Sequence, residues 1–87
     1  MMETIFNVIN PFFQTSQWHL QKKENTICYK YRTDEFIINL LPKTNELEIT
    51  VPLNEVAYKN TFNNYNLNII SEYLKMHLNY YHTKNVM

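Results

Sequence analysis

Glycine is missing from all 87 residues. It is the residue that adopts positive φ without steric cost and lets the backbone approach a ligand closely. Phosphate-cradling loops, dinucleotide fingerprints and nucleophile elbows depend on it. None of these can be built here in its usual form. Cysteine occurs once, as Cys28, which rules out an intrachain disulfide framework and favours a reducing compartment. Net charge is missing too, because eight Lys and Arg balance eight Asp and Glu. A generic nucleic-acid binder carries a basic excess, and a DNA mimic carries an acidic one. Charge near zero instead lowers self-repulsion and permits association. No window approaches the ~18 apolar residues of a membrane span. Residues 1–10 contain Glu3 and no basic residue, unlike a secretory leader. The expected location is the cytoplasm or nucleus, without secretion or membrane insertion.

What is present describes a folded domain. Hydrophobic residues make 45% of the chain and aromatics 15%, too many for a disordered segment. The length fits one domain, residues 1–87, with a thin core that buries roughly 60–65% of the unfolded surface. Thirteen asparagines stand in for glycine at turns, since asparagine tolerates left-handed backbone and hydrogen-bonds its own main chain. Asn, Ile, Lys, Tyr and Phe supply 40 residues, while Gly, Ala, Arg and Pro supply 5. The first group has AT-rich codons and the second GC-rich ones. An AT-rich genome is the simplest source of that bias, and the expectation is a small viral accessory protein.

Hydrophobic periodicity sets the organisation. Met2, Ile5, Phe6 and Ile9 fall at helical spacing and predict a short helix over 1–10, stopped by Pro11. From residue 17 the period becomes two. Trp18, Leu20 and Lys22 alternate in a first strand, and Ile27, Tyr29 and Tyr31 in a second. Thr33 and Asp34 form a turn. Phe36, Ile38 and Leu40 mark a third strand, with Ile37 and Leu41 giving its other face apolar character too, as in a central strand. After a turn at residues 42–45, Leu47, Ile49, Val51 and Leu53 alternate with Glu46, Glu48, Thr50 and Pro52 in the clearest strand of the chain. Pro52 lacks an amide donor and predicts that this strand ends there or lies at an edge. Tyr58, Asn60 and Phe62 suggest a short fifth strand. Residues 65–82 read as a long amphipathic helix, capped by an asparagine among residues 63–66 and followed by a loose tail over 83–87. The fold class is therefore α+β: a short N-terminal helix, an antiparallel meander of four to five strands over 17–62, and a long C-terminal helix packed on one sheet face.

Catalytic and metal chemistry find little support. His77 and His82 lie about 140° apart around a helix, and His19 and Cys28 sit on separate strands, so no metal or other cofactor is expected. Cys28 is mid-strand and reads as a buried, inert thiol. The two serines are Ser16 and Ser71, and Ser71, on the polar side of the last helix, has no obvious base. Glu46 and Glu48 sit about 6.7 Å apart on one strand face, a spacing that paired glycosidase carboxylates use but that a solvated strand face explains as well. No residue is assigned a catalytic role, and the chain is expected not to be an enzyme.

Two surfaces remain as candidates. Trp18, Lys22, Lys23, Lys30, Tyr31 and Arg32 bring cations and aromatics onto two neighbouring strands, as a single-stranded nucleic-acid platform would. Alternation works against it: Tyr29 and Tyr31 share a face with Ile27, whereas Lys30 shares one with Cys28. On the last helix, Tyr73, Met76, Tyr80 and Tyr81 form an apolar arc wider than one thin sheet needs, and tyrosine and methionine are enriched at protein interfaces. The favoured reading is a protein-interaction module that uses these four residues toward a protein partner or a second copy of itself.

Overall fold

The computed structural model describes residues 2–14, 17–63 and 65–85. Helix α1 spans Met2–Ile9 and buries Met2, Ile5 and Ile9 of the predicted apolar stripe, while Phe6, its fourth member, is half-buried. Glu3 lies in its first turn, where the helix dipole favours a negative charge. Pro11 ends the α-helix by opening a tighter 3-10 turn over Asn10–Phe13, where its missing amide donor costs nothing. This turn carries Phe13 into the core.

Five strands follow in one sheet: β1 (His19–Lys22), β2 (Thr26–Tyr31), β3 (Asp34–Leu41), β4 (Glu46–Leu53) and β5 (Val56–Phe62). Their spatial order is their chain order, and every neighbouring pair is antiparallel. The connections are tight, so each strand folds back on the one before. Three residues hold positive φ in these turns: Arg32 (59°), Asn45 (56°) and Asn54 (59°). Two of the three are asparagines, which take the part glycine plays elsewhere.

Helix α2 (Leu67–Asn85) closes the domain. Its cap is Asn66, whose Oδ1 accepts the Ile69 amide at 2.9 Å. His82 and Lys84 lie in its last turn, where cations complement the dipole. One face of the sheet carries Ile27, Tyr29, Phe36, Ile38, Leu47, Ile49 and Val51, all buried beneath the two helices. From α2 come Ile70, Leu74, Leu78 and Tyr81. Phe13, Trp18, Tyr29, Phe36 and Tyr81 form an aromatic cluster at the β1–β3 side, with Phe13 stacked on Tyr29 at 4.0 Å. Each such pair contributes roughly 0.5–1.5 kcal/mol beyond area burial. No helix covers the opposite face. There Thr26 donates to Asn39 at 2.9 Å, and Asn39 donates to Glu48 at 3.4 Å, a polar row across β2, β3 and β4.

The structure corrects three expectations and decides a fourth between its alternatives. The turn after β2 is formed by Arg32 and Thr33, and Asp34 already belongs to β3. Trp18 precedes β1 and is buried, while all four residues of β1 are exposed. Residues 83–85 are helical, so the expected loose tail does not begin at 83; residues 86–87 lie outside the described residues. At Pro52 the first of the two expected alternatives holds: β4 is an interior strand, and it ends at Leu53, one residue further on. The β3–β4 register reaches only Ile37 opposite Thr50, whereas β5 pairs as far as Val56 opposite Leu53. Pro52 thus lies past the β3 ladder, where no partner asks for its missing amide.

Candidate interaction surface

The proposed nucleic-acid platform does not assemble. Trp18 is only 7% exposed and packs among Phe13, Phe36 and Tyr81. Its ring is therefore occupied. Tyr31 is half-buried, tilted against Trp18 and overlaid by Arg32. Lys22 pairs across the sheet with Ile27 and so faces the helices. Its ammonium donates to Glu3 Oε1 at 2.9 Å and lies 4.2 Å from the centre of the Phe6 ring. Lys30 faces the other side, opposite His19 and Glu35. Lys23 and Arg32 sit in exposed connections at opposite ends of β2. The cations are divided between two faces, and two of them already have an aromatic or acidic partner.

The helix surface assembles in part. Met76 is 58% exposed and Tyr80 42%. Tyr73 is half-buried, edge-on to Phe62 at 5.1 Å and beside His77 at 4.5 Å. Burial pushes its phenol above the usual range. Tyr81 is not a surface residue. It is 6% exposed, and its hydroxyl donates to Asp34 Oδ2 at 2.6 Å. Burial and the Asp34 carboxylate push that phenol up to about 12. One residue of rotation along α2, about 100°, separates an exposed tyrosine from a core one.

Three contributors to this surface come from outside the predicted set. Ile69 is 42% exposed on α2, and Val56 and Tyr58 are exposed on β5. With Tyr73, Met76 and Tyr80, Ile69 completes a stripe at spacings of four, three and four, the seam spacing of packed helices. This stripe runs beside the helix-facing residues of β5. Tyr73 meets Phe62 near one end, and the Tyr80 hydroxyl donates to Asn54 Oδ1 at 3.4 Å near the other. A shallow depression lined by Phe62, Ile69, Glu72, Tyr73 and Met76 lies between strand and helix. Among the described residues, six large apolar side chains are exposed, and all except Leu20 lie on this flank. The 4-3-4 spacing was present in the sequence as a signal for Ile69. Val56 and Tyr58 had no such signal, because their exposure depends on β5 being an edge.

The remaining candidate groups are occupied or apart. The Cys28 thiol donates to Glu35 Oε2 at 3.6 Å, and burial together with that carboxylate raises its pKa, so it stays a neutral thiol. Burial holds the His77 imidazole below its usual range. Glu46 accepts from Thr44 and Glu48 from Asn39. Ser71 is half-buried on α2, and Ser16 lies outside the described residues. Among the described residues no three His, Cys, Asp or Glu side chains gather as metal ligands would, and no helix is long and apolar enough to cross a membrane. No protein-family model matches the chain, and neither a curated protein nor a solved structure does.

Proposed function

We propose that this chain is a small non-enzymatic protein-interaction module, a viral accessory protein at work in the cytoplasm or nucleus of a host cell. Its docking surface is the flank made by β5 and the outer stripe of α2. The observation that carries this reading is the concentration of exposed Val56, Tyr58, Ile69, Met76 and Tyr80 on one side of a domain whose other large apolar residues are mostly covered. Apolar area gathered in one patch marks an interaction site, whereas scattered apolar residues do not. Tyr and Met are suited to it, since each offers a large contact area with an adaptable or amphipathic tip. The host-cell setting rests on an amino-acid usage of the kind an AT-rich genome supplies and on the single free cysteine.

Site-specific photo-cross-linking in cells tests the proposal. A photoreactive amino acid placed at Met76 or Tyr58 is expected to form discrete protein adducts. The same group at Gln21, on the opposite edge, is expected to form few. Equal labelling at both edges, or none at Met76 and Tyr58, would remove the assignment of function to this flank.

A further inference from the structure

We infer that the occupant of this flank is a second copy of the chain, joined β5 to β5 about a two-fold axis into a ten-stranded sheet, with the two α2 stripes facing each other above the junction. This rests on the interaction reading above and names the partner.

The two edges of the sheet differ in how they meet solvent. Edge strands are kept from pairing by shortness, charge, proline or bulges. β1 has four residues, and Lys22, Lys23 and Glu24 crowd its end. β5 has seven residues in unbroken register with β4, no proline, and Lys59 as its one charge. Its outer backbone groups can be named. The two-residue turn at Asn54 and Glu55 closes on Leu53 and Val56, which makes that pair hydrogen-bonded. Pairs then alternate along the ladder. Val56, Tyr58, Asn60 and Phe62 bond to β4, and Ala57, Lys59 and Thr61 direct amide and carbonyl outward. The same alternation puts Pro52 at a non-bonded position toward β5, in keeping with its tolerance there.

A two-fold axis normal to the sheet keeps each residue on its own face, so the pairing must centre on a residue. Centring on Lys59 would oppose two ammonium groups. Centring on Asn60 places Tyr58 of each copy against Phe62 of the other, and Lys59 against Thr61. The helices favour the same centre. Tyr73 packs on Phe62, which sets the middle of the stripe near Asn60. Antiparallel α2 helices about that point bring Ile69 toward Tyr80 and Tyr73 toward Met76. Since α2 packs on β4, the two axes stand about three strand spacings apart, about 14 Å. That is wider than the ~8–10 Å of helices in direct contact. The large side chains of Tyr58, Met76 and Tyr80 from both copies fill the difference.

The area suits a dimer. The five exposed side chains show between 42% and 68% of their surface. At ~200 Å² for a large side chain this is on the order of 500 Å². The outer backbone of β5 and the rim residues Asn68 and Glu72 extend it toward the ~800 Å² per partner of a stable complex. Zero net charge adds little repulsion between copies.

Sedimentation equilibrium of the full chain, with cysteine cross-linking along β5 in a Cys28→Ser background, decides the matter. A concentration-dependent dimer is expected. Asn60→Cys is expected to cross-link to itself on mild oxidation, since non-bonded antiparallel pairs place Cα atoms about 4.5 Å apart, and Gln21→Cys is not. Met76→Asp is expected to weaken the dimer about tenfold or more while circular dichroism shows the fold intact. Lys59→Pro provides a backbone probe, because it removes an outward amide and leaves the β4 ladder whole. A chain that stays monomeric at all concentrations would overturn the dimer. So would a dimer that cross-links through Gln21→Cys and ignores both Met76→Asp and Lys59→Pro. A monomer that still forms adducts to another protein from Met76 would defeat this inference and leave the interaction reading standing. Absence of adducts as well would defeat both.

Discussion

The two ends of the sheet are finished differently. At the β1 end, α1 and the turn after it lie over the sheet, and Phe13, Trp18, Tyr29, Phe36 and Tyr81 pack ring on ring. Three polar tips there are tied down: Tyr29 donates to Asn10 at 2.8 Å, Tyr81 to Asp34 at 2.6 Å, and Lys22 to Glu3 at 2.9 Å. At the β5 end α2 packs on β4, and β5 carries Val56 and Tyr58 into solvent. Packed aromatic rings are concentrated at the first end. Apolar surface without a cover is concentrated at the second. A domain with so thin a core covers its large apolar side chains at one end and leaves several of them exposed at the other.

Substitutions at the two ends should separate these roles. The largest effect is expected from Trp18→Ala, which empties the middle of the aromatic cluster and should cost about 3–5 kcal/mol in urea unfolding. Val56→Ser at the opposite end should stay within about 0.5 kcal/mol for the monomer. Comparable losses at both ends would break the contrast.

A smaller effect is expected from Tyr81→Phe, about 1–2 kcal/mol, because the Asp34 carboxylate loses a buried donor. The contrast also has a pH signature. The Tyr81 phenol titrates near 10 when unfolded and about 12 when folded. The folded state therefore holds the proton more tightly. This contribution is fully present below pH ~10 and is lost as pH rises through about 12. Burial raises the Tyr29 phenol in the same direction. Thermal melts across the alkaline range should show a falling midpoint, less steep in Tyr81→Phe. A slope unchanged by that substitution would remove Tyr81 as its source.

The smallest effect is expected at the turn after β2. Arg32 holds φ 59° without an asparagine's amide or a glycine's freedom. Arg32→Gly should raise stability by about 0.5–1 kcal/mol, measured by chemical denaturation. A loss would show that the guanidinium's place over the Tyr31 ring outweighs the backbone cost.

Much of this was legible in the residue pattern. The alternation from Leu47 to Leu53, the helical spacing of Met2, Ile5 and Ile9, and the long helix that begins near Leu67 all appear where the pattern puts them. So does the division of Tyr29 from Lys30 across the sheet, the first sign against a nucleic-acid platform. The length of β5 was harder to read, because Asn60 interrupts its apolar alternation and its partner across the ladder supplies what the pattern lacks. Pro52 points to an edge or to the end of its strand; the strand does end, at Leu53, and the edge lies one strand further on. On α2 the surplus of large side chains was visible, and Met76 and Tyr80 are indeed outside. Tyr81 belongs to the core, through a carboxylate on β3 that lies 47 positions earlier in the chain.

The sequence by itself determined the local elements, their order and the apolar face of each. Those properties follow from backbone periods of two and 3.6 residues, which act between near neighbours. Tertiary structure alone decided which strand edge stays unpaired, how far round α2 the cover extends, and that Val56, Tyr58, Ile69, Met76 and Tyr80 share one flank. Those are relations between segments distant in sequence, set by the packing of two helices over five strands, and no local period encodes them.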